Sequence, residues 1–255
     1  VNRKELQTLV GWKLLEIGGH AVQNRADMLC APLKRDQAWL KFGEDGSAEI
    51  CLSSEELAVA RFFTRLLQHQ EDAPVHVVDL PGPCIVAAAD AYAEGTRAGV
   101  GGWLLPEGAE LHPSNIFWCS CEVEWAAVPA WFTKDLRDLQ SAIAALEALA
   151  QLILLSCQRS QLSLEAKMGR ISLRQQCDNM GVVCSTAKHL SMKQPLASVL
   201  QSTALFCLKE RITLKISHVA GVRNEWADIL SRGAMRDPSF WAQLSKSKQL
   251  FSAKW

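Results

Sequence analysis

No Cys-x-x-Cys pair occurs in this sequence, although it holds nine cysteines. Its six histidines stay away from paired cysteines at ligand spacing, which excludes a zinc knuckle. An odd, scattered set of cysteines suits small core hydrophobes in a reducing, intracellular setting, with no disulfide partner. There is no secretory signal, and no apolar run reads as long enough to span a bilayer. The longest, "SAIAALEALAQLILLSC", carries Glu147 and reads as a buried helix, so no membrane partner is expected. The chain opens on Val1 rather than methionine, which reads as a fragment or a processed piece. Internal repeats and low-complexity segments are absent as well.

Net charge is also lacking, at 27 basic against 27 acidic residues, but the distribution is uneven. Residues 1–80 hold 9 basic and 12 acidic side chains, residues 81–160 hold 4 and 9, and residues 161–255 hold 14 and 6. A basic final third beside a sparsely charged middle suits a site that grips phosphate on one side and metal on the other. A solvated basic surface without a partner would look the same. With 49% apolar and 21% charged residues, the composition is globular.

What is present has an order. "NRKELQTLVGWKLLEIGG" has the apolar stripe of a helix, and a second helix follows the capping box of Ser53 and Glu56. The proline-rich "EDAPVHVVDLPGP" interrupts all periodicity and marks a boundary. After it come three strand patterns, "CIVAAADAYAEG", "AGVGGWLLPEG" and "NIFWCSCEVEW". A long helix is expected over about 136–158, then the strand "RISLRQQCDN" and two helices around "GVVCSTAKHLSMK" and "PLASVLQSTALFCLKER". The strand "ITLKISHVAG" and a helix from Asn224 follow. Strands in succession, then helices alternating with strands, imply an α/β fold with a mixed sheet flanked by helices. Residues 236–255 read as a helical tail or a linker.

Four carboxylates stand where carboxylates are expensive. Asp90 is the one charged residue between Asp79 and Glu94, at the expected end of the first strand. Glu147 is alone between Asp138 and Arg159 on a helix apolar nearly all round. Asp178 ends the fourth strand, and Asp228 opens the last helix behind Asn224, a good N-cap. A charge in an apolar segment costs several kcal/mol unless it is paired or metal-bound. Singly, each has a plain structural reading: a turn acid at Asp90, a rim-facing Glu147, a cap at Asp178, a dipole partner at Asp228. His218 alone reads as a loop histidine. Together they describe oxygen ligands gathered at strand ends, suited to two magnesium or manganese ions and not to zinc. Such a pair of ions suits phosphodiester cleavage, with His218 placed to move protons near neutral pH.

The blocks "DAYAEGTRAGVGGWL", "LEALAQLILL", "CDNMGVV" and "SHVAGVRNEWADILSRG" resemble the type 1-like ribonuclease H domain of retrotransposon reverse transcriptases. The last block carries the most specific pattern, and Asp90-Ala91-Tyr92 departs from the family's Asp-Ala-Ser. "KELQTLVGWKLLEI" is similar to the thumb and connection region that precedes such a domain, while the Tyr-x-Asp-Asp hairpin of the polymerase is missing. The resemblance implies a ribonuclease H-like fold at 81–235, with a five-stranded mixed sheet. A small, mostly helical thumb/connection-like fragment at 1–80 would precede it. It also implies cleavage of the RNA strand of an RNA–DNA hybrid, as part of a reverse transcriptase polyprotein. Carried over, Asp90, Glu147, Asp178 and Asp228 would be metal ligands and His218 the proton-transfer residue. Asn179 would touch the substrate, and Arg170, Arg174, Lys188, Lys193 and Arg223 would contact phosphates. A catalytically silent connection or nucleic-acid-binding module is the alternative. An integrase-like or resolvase-like nuclease fits less well, because integrases place their last acid as a glutamate.

Overall fold

The structure is a computed structural model that describes Arg61 and residues 80–81, 85–133, 136–163, 171–188, 191, 193–233, 237–244 and 247–254. The expected thumb/connection-like fragment at 1–80 thus lies almost wholly outside the described residues. Among the described residues, seven strands form one mixed sheet: β1 (Leu80–Pro81), β2 (Val86–Glu94), β3 (Arg97–Leu105), β4 (Phe117–Glu124), β5 (Ile171–Cys177), β6 (Ile212–His218) and β7 (Lys248–Lys254). β2, β3 and β4 form an antiparallel meander, and β5 and β6 continue the sheet in parallel on the β2 side. These are the five strands that the resemblance implies. β1 adds two residues beside β5, and β7 runs parallel to the β4 edge.

Among the described residues, six α-helices flank the sheet: α1 (Ala130–Thr133), α2 (Ile143–Ser160), α3 (Met180–Lys188), α4 (Leu196–Lys209), α5 (Glu225–Arg232) and α6 (Pro238–Leu244). α2 starts later than its apolar pattern predicts. The Asp138 carboxylate accepts from the amide and hydroxyl of Ser141 at 2.8 and 2.7 Å, so the chain first makes a short 3₁₀ turn, Gln140–Ala142. Gln140–Ser160 is long and apolar enough to cross a bilayer, which corrects the expectation that no run reaches that length. Here it is the core helix of the sheet, with Leu146, Leu154 and Leu155 fully buried.

The two faces of the sheet are covered differently. α2 lies over β2 and β3 on one face, with α3 and α4 beside it. α5 covers the same strands on the opposite face, where Leu230, Ile229, Trp103, Ile116, Phe240 and Leu244 form a second core. Burying each such side chain contributes roughly 1.5–3 kcal/mol. The glycines of "RAGVGGWLL" let this face close. A β-carbon on Gly99 would strike the carbonyl oxygen of Ser231, and one on Gly101 would strike the backbone at Leu230 and Ser231. α5 therefore rests directly on β3. Within residues 236–255, expected as a helical tail or linker, α6 packs into this second core through Phe240 and Leu244, and β7 joins the sheet. Cys119, Cys121, Cys157, Cys177 and Cys207 are buried, and Cys184 is exposed.

Candidate active site

Sheet register brings the first two acids together. β2 and β5 pair in parallel at Ala88 and Gln176, and two residues further along each strand stand Asp90 and Asp178. Beyond that pair, side chains take over from the ladder. Gln151 of α2 donates its amide to the carbonyls of Ala89 and Gln176, 3.2 Å each, and Asn224 donates to Ala89 at 3.3 Å. The notch between the two strands is thus braced from both faces of the sheet.

Asp90 is not at the end of its strand, as the sequence suggested, but in the middle of it. β2 continues to Glu94 because its pairing with β3 runs unbroken from Val86–Leu105 to Glu94–Arg97. Asp90 pairs with Gly101 and so points to the α5 face, where the Ser231 hydroxyl donates to its Oδ2 at 3.0 Å. Glu147 enters from α2 on the opposite face, and both carboxylates are only 5% exposed. Burial pushes the Asp90 carboxyl up to about 7, helped by the charges of Asp178 and Asp228 and opposed by the Ser231 hydrogen bond. Burial also pushes Glu147 up to about 9, with Asp90 and Asp178 adding repulsion. Asp178 thus acts on both buried acids, and Asp228 acts on Asp90.

Asp178 follows β5 directly. Gly221, at the start of the turn Gly221–Arg223, lies over it: a β-carbon there would come within 3.3 Å of the Asp178 Oδ2. That close approach, and not a positive φ, is what calls for glycine. His218 ends β6 opposite Cys177, and its Nε2 sits 3.1 Å from the Asp178 carbonyl oxygen. Since a carbonyl only accepts, Nε2 carries the proton and Nδ1 is the basic nitrogen.

Asp228 stands in the first turn of α5, as expected, but Asn224 does not cap the helix with its side chain. Its Nδ2 donates to the Ala89 carbonyl while its buried Oδ1 reaches no helix amide, so it anchors the start of α5 to β2 instead. Helix entry is secured by the backbone bond from the Asp228 amide to the Asn224 carbonyl at 3.1 Å. Asp228 in turn receives Nε of Arg232 on Oδ1 at 2.6 Å, one helical turn on.

The residues expected to meet substrate are spread more widely. Asn179 caps α3, its Oδ1 accepting from the Val182 amide at 3.2 Å, and stands next to Asp178. Arg174 is exposed on the Asp178 side of β5, about 13 Å back along the strand. Arg223 and Lys193 are exposed too. Arg170 and the side chain of Lys188 lie outside the described residues.

Several participants escaped the sequence reading. The Cys177 thiol lies 3.9 Å from the Glu147 Oε2, and one ligand atom each of Glu147, Cys177 and Asp178 lie within 4.8 Å of one another. Burial, then Glu147, pushes this thiol up to about 12. Its signal was the period-2 pattern of β5, which turns Ile171, Leu173, Gln175 and Cys177 to the α2 side. The signal for Arg232 was its i,i+4 spacing from Asp228. Gln151 and Ser231 had none beyond helical spacing from Glu147 and Asp228.

The donor set suits a divalent cation. Burial and the neighbouring acids make the anionic forms of Asp90 and Glu147 costly, so protons or a cation must balance them. Carboxylate oxygens suit magnesium or manganese, and a nearby thiol tilts the set toward softer ions than magnesium.

No protein-family model matches the chain, and no curated protein matches it. Among solved structures it is similar to ribonuclease H1 from the halophilic archaeon Halobacterium salinarum NRC-1. That similarity has 16% identity and a TM-score of 0.40, over 59% of this chain and 96% of that one. LC11-RNase H1, in complex with an RNA/DNA hybrid, is similar at 18% identity and a TM-score of 0.38, over 58% of this chain and 94% of that one. The foamy viral protease-reverse transcriptase, also in complex with an RNA/DNA hybrid, is similar at 12% identity and a TM-score of 0.37. That match covers 81% of this chain and 28% of the viral one.

Proposed function

We propose that this chain is a ribonuclease H-type endonuclease that cleaves the RNA strand of RNA–DNA hybrids, as part of a retroelement reverse transcriptase. The observation that supports the reading is the electrostatic coupling among Asp90, Glu147, Asp178 and Asp228, which come from β2, α2, the end of β5 and α5. The resemblance of "SHVAGVRNEWADILSRG" to the last block of such domains supports the substrate class.

In this reading the four carboxylates hold two magnesium or manganese ions. When bound, these would activate a water and stabilise the leaving oxygen of a phosphodiester. His218, tied through Nε2 to the Asp178 carbonyl, keeps Nδ1 ready to carry a proton. Ser231 orients Asp90, and Gln151 and Asn224 keep the strands parted at the site. Arg174, Arg223 and Asn179 meet the hybrid through its backbone and 2′-hydroxyls, without reading bases.

A catalytically silent nucleic-acid-binding module is the second reading, favoured by the Arg232 guanidinium seated on Asp228. Cleavage of a labelled RNA–DNA hybrid in magnesium separates the two. Loss of cleavage both with EDTA and with Asp178→Asn is expected. Hybrid binding without cleavage in any divalent ion would establish the silent module instead.

A further inference from the structure

We propose that Arg232 is a latch on Asp228. It holds the carboxylate while the site is without hybrid and releases it when a backbone phosphate of the hybrid takes the guanidinium. The inference rests on reading the acid cluster as a divalent-metal site.

Five side chains of one sheet face set up the latch. Asp90 and Tyr92 lie two residues apart on β2 and point the same way, opposite Gly101 and Gly99. Those glycines let α5 sit directly on β3, with the backbone of Leu230 and Ser231 against them and Asp228 and Arg232 on the same helix. Ser231 bonds Asp90, while Arg232 bonds Asp228 at 2.6 Å and lays its guanidinium over the Tyr92 ring, 5.4 Å from the centroid. The ring sets the plane and direction of the guanidinium, so it is held in place before any ligand arrives.

Two features make this an exchangeable contact and not a fixed strut. The Arg232 side chain is 40% exposed, and so is within reach of an incoming anion. An ion pair at such a depth is worth roughly two- to fivefold in a binding constant, little enough for a stronger ligand to displace. Phosphate is the ligand to which an arginine fork is matched, by geometry and by charge. An anionic backbone could approach this acid cluster only alongside cations, and Arg232 is a cation bonded to it. Taking the phosphate frees the Asp228 oxygen for metal, so hybrid and divalent ion help each other to bind.

The test is Mn²⁺ binding by the full 255-residue chain, read from the electron paramagnetic resonance signal of free Mn²⁺. It is run without nucleic acid and with a hybrid whose RNA strand is 2′-O-methylated. Without hybrid, Arg232→Gln binds Mn²⁺ roughly two- to fivefold more tightly than wild type. Arg232→Lys, which keeps the charge, stays near wild type, and the gain vanishes in an Asp228→Asn background. The hybrid tightens Mn²⁺ binding more in wild type than in Arg232→Gln. Tyr92→Leu removes the ring beneath the guanidinium and shifts Mn²⁺ affinity the same way by a smaller factor. If Arg232→Gln binds Mn²⁺ no more tightly than wild type, or fails to fold while Tyr92→Leu binds as wild type does, the latch is overturned and the metal site stands. If wild type binds no Mn²⁺ that Asp90→Asn abolishes, the metal-site reading falls as well.

Discussion

The Ser231 hydroxyl donates to Asp90 Oδ2 at 3.0 Å, across a contact made possible by the bare backbone of Gly99 and Gly101. One hydrogen bond thus ties α5 to the acid in the middle of β2. Ser231→Ala leaves Asp90 buried and short of a donor. The expected cost is about 1–2 kcal/mol in urea unfolding at pH 8, where Asp90 is charged. Hybrid cleavage should fall about tenfold as the carboxylate loses its orientation, which is about 1.4 kcal/mol in the barrier. An unchanged rate would mean that Asp90 is held by its other contacts alone.

The acid cluster sets the pH dependence of the metal-free protein. Asp90 rises from 3.8 to about 7 on folding and Glu147 from 4.5 to about 9. A carboxyl raised in the folded state binds its proton more tightly there, so its contribution is full below pH 4 and is lost as pH climbs through the folded value. Between about pH 4 and 9 the cluster therefore favours the folded state less and less. Thermal melts in EDTA are expected to show Tm dropping across that window, with Asp90→Asn and Glu147→Gln each flattening the slope. Adding magnesium or manganese at pH 8 should restore the loss.

Asp178 repels both buried acids. Asp178→Asn removes that charge, so the metal-free variant should melt at or above the wild-type temperature while hybrid cleavage disappears. A variant that unfolds, beside a wild type that never cleaves, would make Asp178 structural and remove the basis for the metal site.

Two glycines separate stability from activity. Gly101→Ala places a methyl group inside the α5 backbone and should cost about 3 kcal/mol in chemical denaturation. Gly221→Ala adds a methyl 3.3 Å from the Asp178 carboxylate, a tight contact at an exposed turn. It should barely move Tm but reduce cleavage severalfold. Equal losses of stability in the two variants would contradict this division.

Most of the candidate site was legible because burying charge is expensive. An acid alone in an apolar run, such as Asp90 or Glu147, stands out whatever the fold, and the pattern of alternating strands and helices followed from local periodicity. The misplacements came from pairing. Nothing local to "CIVAAADAYAEG" says that Asp90 lies mid-strand, since that follows from β3 being long enough to pair as far as Glu94. Asn224 has the chemistry of a cap, but its side chain is oriented by Nδ2 donation to the Ala89 carbonyl, a group distant in sequence that only folding brings near.

By itself, then, the sequence determined which residues could carry chemistry and which segments would be strand or helix, because propensity and the cost of burying a charge act locally. Tertiary structure decided the rest through register and close packing. The Ala88–Gln176 pair sets Asp90 beside Asp178, and Cys177 reaches Glu147 only across the interface of β5 with α2. Segment 248–254 becomes a sheet strand because β4 offers it an edge, and the seating of α5 on two glycines decides what Ser231 and Arg232 can touch.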